Sequence, residues 1–317
     1  MIISEYRKKL EAYRGKNTRP GDFYAYWAAQ MHQIPKAVLV EPVPFASRTA
    51  VYEAVTIDME DCQIKARTIH PAREGKHPLV LMFHDLNREI RGWHHMTRFI
   101  ALGYGVVALE AAVQHEDWKL SPETVGFEGY IRDALVLAEY ARKLGWVDAG
   151  QIATWGEGLG GGLAVAAASM LPGKVKCCAL NPMPADIQTI CPKSDGKLEY
   201  CDIAAFADGI QGEVLMGVCL MDAIAPPEGQ YSIFNRITCA KKIKVYPKYA
   251  HERVNFFEND LLSFLHGERS DIPAAKPQYS FFATIRCPEL FWRNQIPEII
   301  TTCESVDCSA SGTDHSC

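Results

Sequence analysis

The chain has 317 residues, 48% of them hydrophobic and 22% charged, and its 38 acidic and 33 basic side chains leave a formal charge of -5. That balance excludes an intrinsically disordered chain and lacks the basic stripe of a nucleic-acid binder. No run approaches the ~18 apolar residues of a membrane span. The charged start MIISEYRKKLEAYRGK has no apolar signal-peptide core, so a soluble cytoplasmic protein of one large or two modest domains is expected.

Residues 1–34 are amphipathic at helical spacing and stop before Pro35, which reads as an N-terminal helical arm over 1–35. Val38 to Ala66 alternates in short β-type runs such as VYEAVTIDM. A βα rhythm follows: LVLMFH (79–84) as a buried strand, WHHMTRFIALG (93–103) as a helix, and YGVVALE (104–110) as the next strand. Tyr130 to Leu144 has apolar residues at helical spacing, with Gly145 as its expected stop. QIATWG (151–156) is a strand, followed by a glycine cluster and the helix LAVAAASML. VKCCALNP (175–182), EVLMGVCLMD (213–222) and KIKVYP (242–247) complete the strand set. Continuous apolar strands separated by helices predict an α/β fold with a mostly parallel central sheet covered on both faces. The pattern weakens after Leu265. This places the main domain at 36–267 and a C-terminal extension at 268–317, with 303–317 expected to be disordered.

The 11 cysteines suit neither a short disulfide scaffold nor a zinc site, since no CxxC pair occurs. Cys177, Cys178 and Cys219 lie in apolar runs and read as small buried hydrophobes. Cys303, Cys308 and Cys317 stand in the polar tail with His315, at spacings that fit no known site type. His94 and His95, adjacent on a helix, point in different directions and read as surface or packing residues. The run His115-Glu116-Asp117-Trp118 reads as a solvated loop.

Chemistry in open α/β sheets gathers at the carboxyl ends of the strands. Four such ends carry informative residues: His84-Asp85-Leu86-Asn87, the cluster Gly156-Glu157-Gly158-Leu159-Gly160-Gly161-Gly162, Asp222, and His251-Glu252. Gly156, Gly158 and Gly161 satisfy GxGxxG, but a dinucleotide site wants that motif in the first βα unit with an acid ~20 residues on. Cys177, Cys178 and Ala179 stand there instead. The competing reading is the nucleophile elbow G-x-S-x-G of α/β-hydrolases, whose acid and histidine follow in that order. Asp222 and His251 do so, each after its own strand. The serine is missing.

Four segments carry a family resemblance: RPGDFYAYW near the start, GEGLGGGLAVAAA at the elbow, GVCLMDAIAPP at the acid and KVYPKYAHE at the histidine. From about residue 10 to 265 the chain resembles the acetyl xylan esterase and cephalosporin C deacetylase family, carbohydrate esterase family seven. The resemblance implies an α/β-hydrolase fold and an ancestral activity that removes acetyl groups from small carbohydrate esters without metal or organic cofactor. It places the nucleophile position on Gly158, the triad acid on Asp222 and the general base on His251. Backbone N–H groups of Leu86 and Leu159 would form the oxyanion hole. FHDLN replaces a more glycine-rich turn, and the segments after Leu109 and from Pro182 to Asp202 are shorter than in the family. The pocket and the family's hexamer are therefore left open, though a homo-oligomer is compatible with the chain.

A glycine at position 158 has no atom with which to attack a carbonyl. Loss of a triad serine in a hydrolase costs on the order of a million-fold in turnover. Glu157 should point elsewhere at a sharp turn, and Ser169 lies about three turns along the next helix. His84 is expected to make a structural hydrogen bond. The expectation is a pseudo-esterase that keeps Asp222 and His251 and can hold a small acetylated carbohydrate or ester. The alternative is an ester hydrolase using His251 and Asp222 with an activated water or a different nucleophile.

Overall fold

Alternate residues of the central strands face two different apolar layers, and this decides the architecture. A computed structural model describes residues 3–90, 92–111, 119, 125–192 and 196–266; the expected C-terminal extension and the run from His115 to Trp118 lie outside the described residues. Residues 1–268 form one compact unit. The strands are β1 (Ala37–Pro42), β2 (Ala50–Asp58), β3 (Gln63–Pro71), β4 (His77–Phe83), β5 (Gly105–Glu110), β6 (Val147–Glu157), β7 (Lys176–Leu180), β8 (Val214–Cys219) and β9 (Lys241–Tyr246). They form one sheet in the order β1-β2-β3-β5-β4-β6-β7-β8-β9. The pairs β1–β2, β2–β3 and β3–β5 are antiparallel, and the remaining pairs are parallel.

Leu79, Leu81 and Phe83 of β4 enter one apolar layer, while Val80 enters the other. Val107 and Leu109 of β5 divide in the same way from Val106 and Ala108, as do Cys177 and Ala179 of β7 from Cys178 and Leu180. Both faces of these strands are dry, so the period of two is invisible in the sequence as polarity. Two layers of helices are needed to cover them. On one face lie α2 (Phe23–Met31), α4 (Phe127–Ala141) and α5 (Leu159–Met170). On the other lie α3 (His94–Ile100), through Met96 and Phe99, and α8 (Asn255–His266), through Phe257, Leu261 and Leu265. The remaining helices are α1 (Ile3–Ala12), the short α6 (Ile187–Ile190) and α7 (Pro227–Arg236). This is the expected α/β-hydrolase architecture. Among the described residues no helix is long and apolar enough to cross a membrane. The thiols of Cys177, Cys178 and Cys219 are fully buried, and burial pushes those of Cys177 and Cys219 up to about 12.

Two elements differ from the sequence expectation. The helical arm is not continuous: it is two helices, broken over 13–22, where Gly15 takes a left-handed φ of 74°. The broken stretch is fastened by α7: Asn235 Nδ2 donates to the carbonyl of Tyr13 at 2.6 Å, and Arg236 Nε to that of Arg14 at 2.8 Å. Trp27, fully buried, donates its indole N–H to the Tyr200 carbonyl at 3.0 Å. The helix expected over 130–144 instead spans Phe127–Ala141. Its buried Phe127, Ile131, Ala134, Leu135, Ala138 and Ala141 fall on one helical face. Beyond Ala141 the N–H groups of Lys143 and Leu144 bond three residues back, to Tyr140 and Ala141. The chain therefore tightens out of the helix without a left-handed cap, and Gly145 has no positive φ.

Candidate active site

β5 and β6 lie on opposite sides of β4, so the strand order reverses there, where α/β sheets open a crevice at their carboxyl ends. The ends of β4, β6, β8 and β9 supply the candidate residues. After β6 the chain turns sharply into α5 at Gly158, with φ 54° and ψ -121°. A residue with a side chain is strained at such angles, and glycine adopts them freely. The turn is tight because α5 starts against the end of β4: a Cβ on Gly160 would meet the Phe83 carbonyl oxygen at 2.4 Å. The elbow expected from the sequence is thus formed, without its nucleophile.

Asp222 and His251 meet. After β8 the Asp222 carboxylate folds back on its own loop, and its Oδ1 accepts from the N–H groups of Ile224 (2.9 Å) and Ala225 (2.7 Å). Its Oδ2 accepts from His251 Nδ1 at 2.8 Å. The Asp222 side chain is fully buried, and that of His251 is 11% exposed. Asp222 therefore holds the imidazole by one nitrogen and directs the other toward the elbow.

What stands at the elbow is a second carboxylate. Asp85 Oδ2 lies 2.8 Å from His251 Nε2. Its Oδ1 accepts from the N–H of Leu86 at 2.8 Å and of Leu159 at 2.9 Å. These are the two donors expected to form an oxyanion hole. Leu159 opens α5, so the oxygen also sits at the positive end of a helix dipole. A Cβ built on Gly158 would lie 1.7 Å from that oxygen. The Asp85 carboxyl thus occupies the place that an elbow side chain would take. Gly158 and Asp85 exchange their usual roles: one has lost a side chain and the other fills the volume.

Both ring nitrogens of His251 face carboxylate oxygens, which only accept hydrogen bonds when ionised. Burial alone would lower the imidazole pKa. The hydrogen bonds and charges of Asp222 and Asp85 outweigh it and raise the value to about 9. The protonated imidazole is therefore favoured at neutral pH, with each ring nitrogen facing a buried Asp oxygen. A buried carboxylate is tolerated only with such full pairing, and the Asp85 side chain is just 3% exposed. Arg88 adds a further positive charge, with Nε 3.8 Å from Asp85 Oδ2.

The other candidates have structural partners. His84 Nε2 accepts from the N–H of Ala111 at 3.1 Å, which leaves Nδ1 to donate to the Asp85 carbonyl at 3.0 Å. Glu157 turns away from His251 and pairs with Arg88 at 3.5 Å; burial raises its pKa, against the pull of Arg253 and Arg88. Ser169 faces Gly209 and Tyr24 of the arm. His95 lies 3.3 Å from Arg253 Nη2, and burial, followed by the Arg253 charge, lowers its pKa to about 4. Among the described residues no group of three or more His, Cys, Asp and Glu side chains could hold a metal ion. Sequence reasoning placed Asp85 at an informative strand end but gave it no role. The available signal was paired: a side chain gained in the FHDLN turn where the elbow lost one.

The sequence profile of the acetyl xylan esterase family (AXE1) matches residues 3–195 and 193–268. Acetyl xylan esterase 1 from Thermoanaerobacterium sp. JW/SL YS485 superposes with a TM-score of 0.71 at 25% identity, covering 82% of this chain and 97% of that one. The acetyl xylan esterase from Paenibacillus sp. R4 superposes at 0.69 with 21% identity, covering 84% and 99%. The quorum-quenching protein AidA of Acinetobacter baumannii (strain MDR-ZJ06) is 24% identical over 186 residues, 57% of this chain. The match spans 60% of that relative's length.

Proposed function

The chain belongs to the acetyl xylan esterase family, and from that premise we infer that it does not run the family's acetyl-ester hydrolysis. One observation carries the reading: the Asp85 carboxyl takes the Leu86 and Leu159 N–H groups, the expected oxyanion donors, and stands where an elbow side chain would stand. Acyl transfer needs an attacking atom, a neutral base to take its proton, and free donors for the developing oxyanion. Gly158 lacks the first, the paired carboxylates keep His251 from being the second, and Asp85 occupies the third. Removing a single oxyanion donor already costs about a hundred- to a thousand-fold in turnover. Here both are engaged, so a water activated by His251 would find no stabilised intermediate.

Hydrolysis of an aryl acetate tests this. The native protein should show no turnover above that of His251→Ala, and Gly158→Ser alone should gain none, because Asp85 still fills the site. Gly158→Ser combined with Asp85→Gly should recover acetylesterase activity, since His251, Asp222 and the two backbone donors are in place. Native turnover that disappears in His251→Ala would overturn the reading.

A further inference from the structure

The carboxylate that closes the centre to acyl esters is itself arranged as a nucleophile. We propose that Asp85 is the nucleophilic residue of a two-step hydrolysis of small primary alkyl electrophiles, such as alkyl halides, through an alkyl ester on its Oδ2. This rests on the reading that Asp85 occupies the elbow. The substrate class follows from which oxygen each partner holds. Oδ1 is fixed by Leu86 and Leu159, so attack by Oδ2 on a carbonyl carbon would put the new oxyanion where no donor waits. Attack on a saturated carbon develops no oxyanion in the first step. In the second step the negative charge appears on Oδ1, between the two N–H groups.

The chemistry balances. An Oδ2 lone pair forms a bond to the alkyl carbon, and the carbon–halogen bond breaks, its electron pair leaving with the halide. The halide departs on the far side of the carbon from Oδ2, while Arg88, with Nε 3.8 Å from Oδ2, stays on the carboxylate side. The Asp85 carboxyl is now a neutral ester and no longer holds the His251 proton, which passes to solvent; hydrogen halide is thereby released. His251 Nε2, still oriented by Asp222, takes a proton from water as the water oxygen adds to the Asp85 carboxyl carbon. Collapse of that intermediate breaks the bond to the alkoxy oxygen, which leaves as the alcohol with the proton from His251. The carboxylate re-forms with one oxygen from water and returns its remaining proton to the imidazole. Loss of one flanking charge turns His251 from a clamped cation into a base at the step that needs a base. A carboxylate oxygen has two lone pairs, and Oδ2 gives one to His251 Nε2, which leaves the other for the attack.

Native protein is incubated with 1-bromobutane, following bromide release and the mass of the peptide that contains Asp85. Repeated bromide release is expected from the native chain, and release in Asp85→Asn should fall at least ~1000-fold, as for loss of a nucleophile. His251→Gln should stop after a single equivalent, leaving a butyl group on Asp85. In oxygen-18 water, a single turnover should place the label in Asp85 and none in the butanol. Melting curves of both variants establish that they fold. Absent bromide release, butylation confined to cysteines, or release unchanged in Asp85→Asn or His251→Gln would overturn the proposal. The aryl acetate assay separates the two readings. Inert acetate with inert bromide removes only this inference, whereas His251-dependent acetate turnover removes the closed-esterase reading on which it rests.

Discussion

The two carboxylates on His251 make the same contact at the same distance, 2.8 Å, yet they are held in opposite ways. Asp222 is held by its own loop, through N–H groups two and three residues ahead. Asp85 is held by the next residue and by the start of α5, which is 74 positions away in the chain. The first carboxylate organises its own loop; the second borrows donors that the sheet and α5 have already placed. Removing Asp222 should therefore disturb backbone, while removing Asp85 should empty a preformed hole. Chain distance, more than the strength of the contact, separates the two roles.

The largest effect should come from putting a side chain back at the elbow. Gly158→Ser should lose about 3 kcal/mol of stability, from overpacking against Asp85 and strain at positive φ. Adding Asp85→Gly should return most of that loss, a coupling above about 1 kcal/mol in a urea double-mutant cycle. Additive losses would mean that Asp85 does not occupy that volume. Next in size, Asp222→Ala should cost about 2–3 kcal/mol, because two loop N–H groups and the imidazole lose their acceptor. Asp85→Ala should cost less in the same urea titration. Equal costs would erase the difference between a loop-organising and a hole-filling carboxylate.

The pH dependence is a finer probe. His251 has its pKa raised from 6.5 to about 9 in the folded protein. Its contribution to stability is then fully present below about 6.5 and drains away as pH rises through about 9. Unfolding titrations at pH 6.5 and 9.5 should show that decline, and Asp85→Asn should flatten it by removing one of the two charges. A decline that survives Asp85→Asn unchanged would assign it to other groups. The smallest effect is expected from Arg88→Met, under about 1 kcal/mol, since this ion pair is partly exposed and long at 3.8 Å. Its loss should appear mainly as a small shift of the His251 titration followed by NMR.

Much of the site was legible because its parts sit at strand ends and obey a fixed order. The elbow glycines, Asp222 and His251 each follow a strand recognisable in the sequence, and the structure brings them together. The two donor positions, Leu86 and Leu159, came only with the family resemblance, and both N–H groups point at Asp85 Oδ1. The role of Asp85 was not legible. As a residue after a strand it looks like any polar loop residue, and its partner His251 is 166 positions away. The bounds of α4 and the break in the arm were blurred for a related reason: local periodicity runs past the residues that packing retains.

By itself, the chain determined the alternation of apolar strands with helices, the glycine turn at 158 and the absence of a serine, because apolar runs, glycine spacing and residue identity are local properties. Only the tertiary structure decided what takes the serine's place. A carboxylate can remain buried at the elbow only where two backbone N–H groups and an imidazolium converge on it. That convergence requires β4, β6 and β9 to end at the same edge of one sheet.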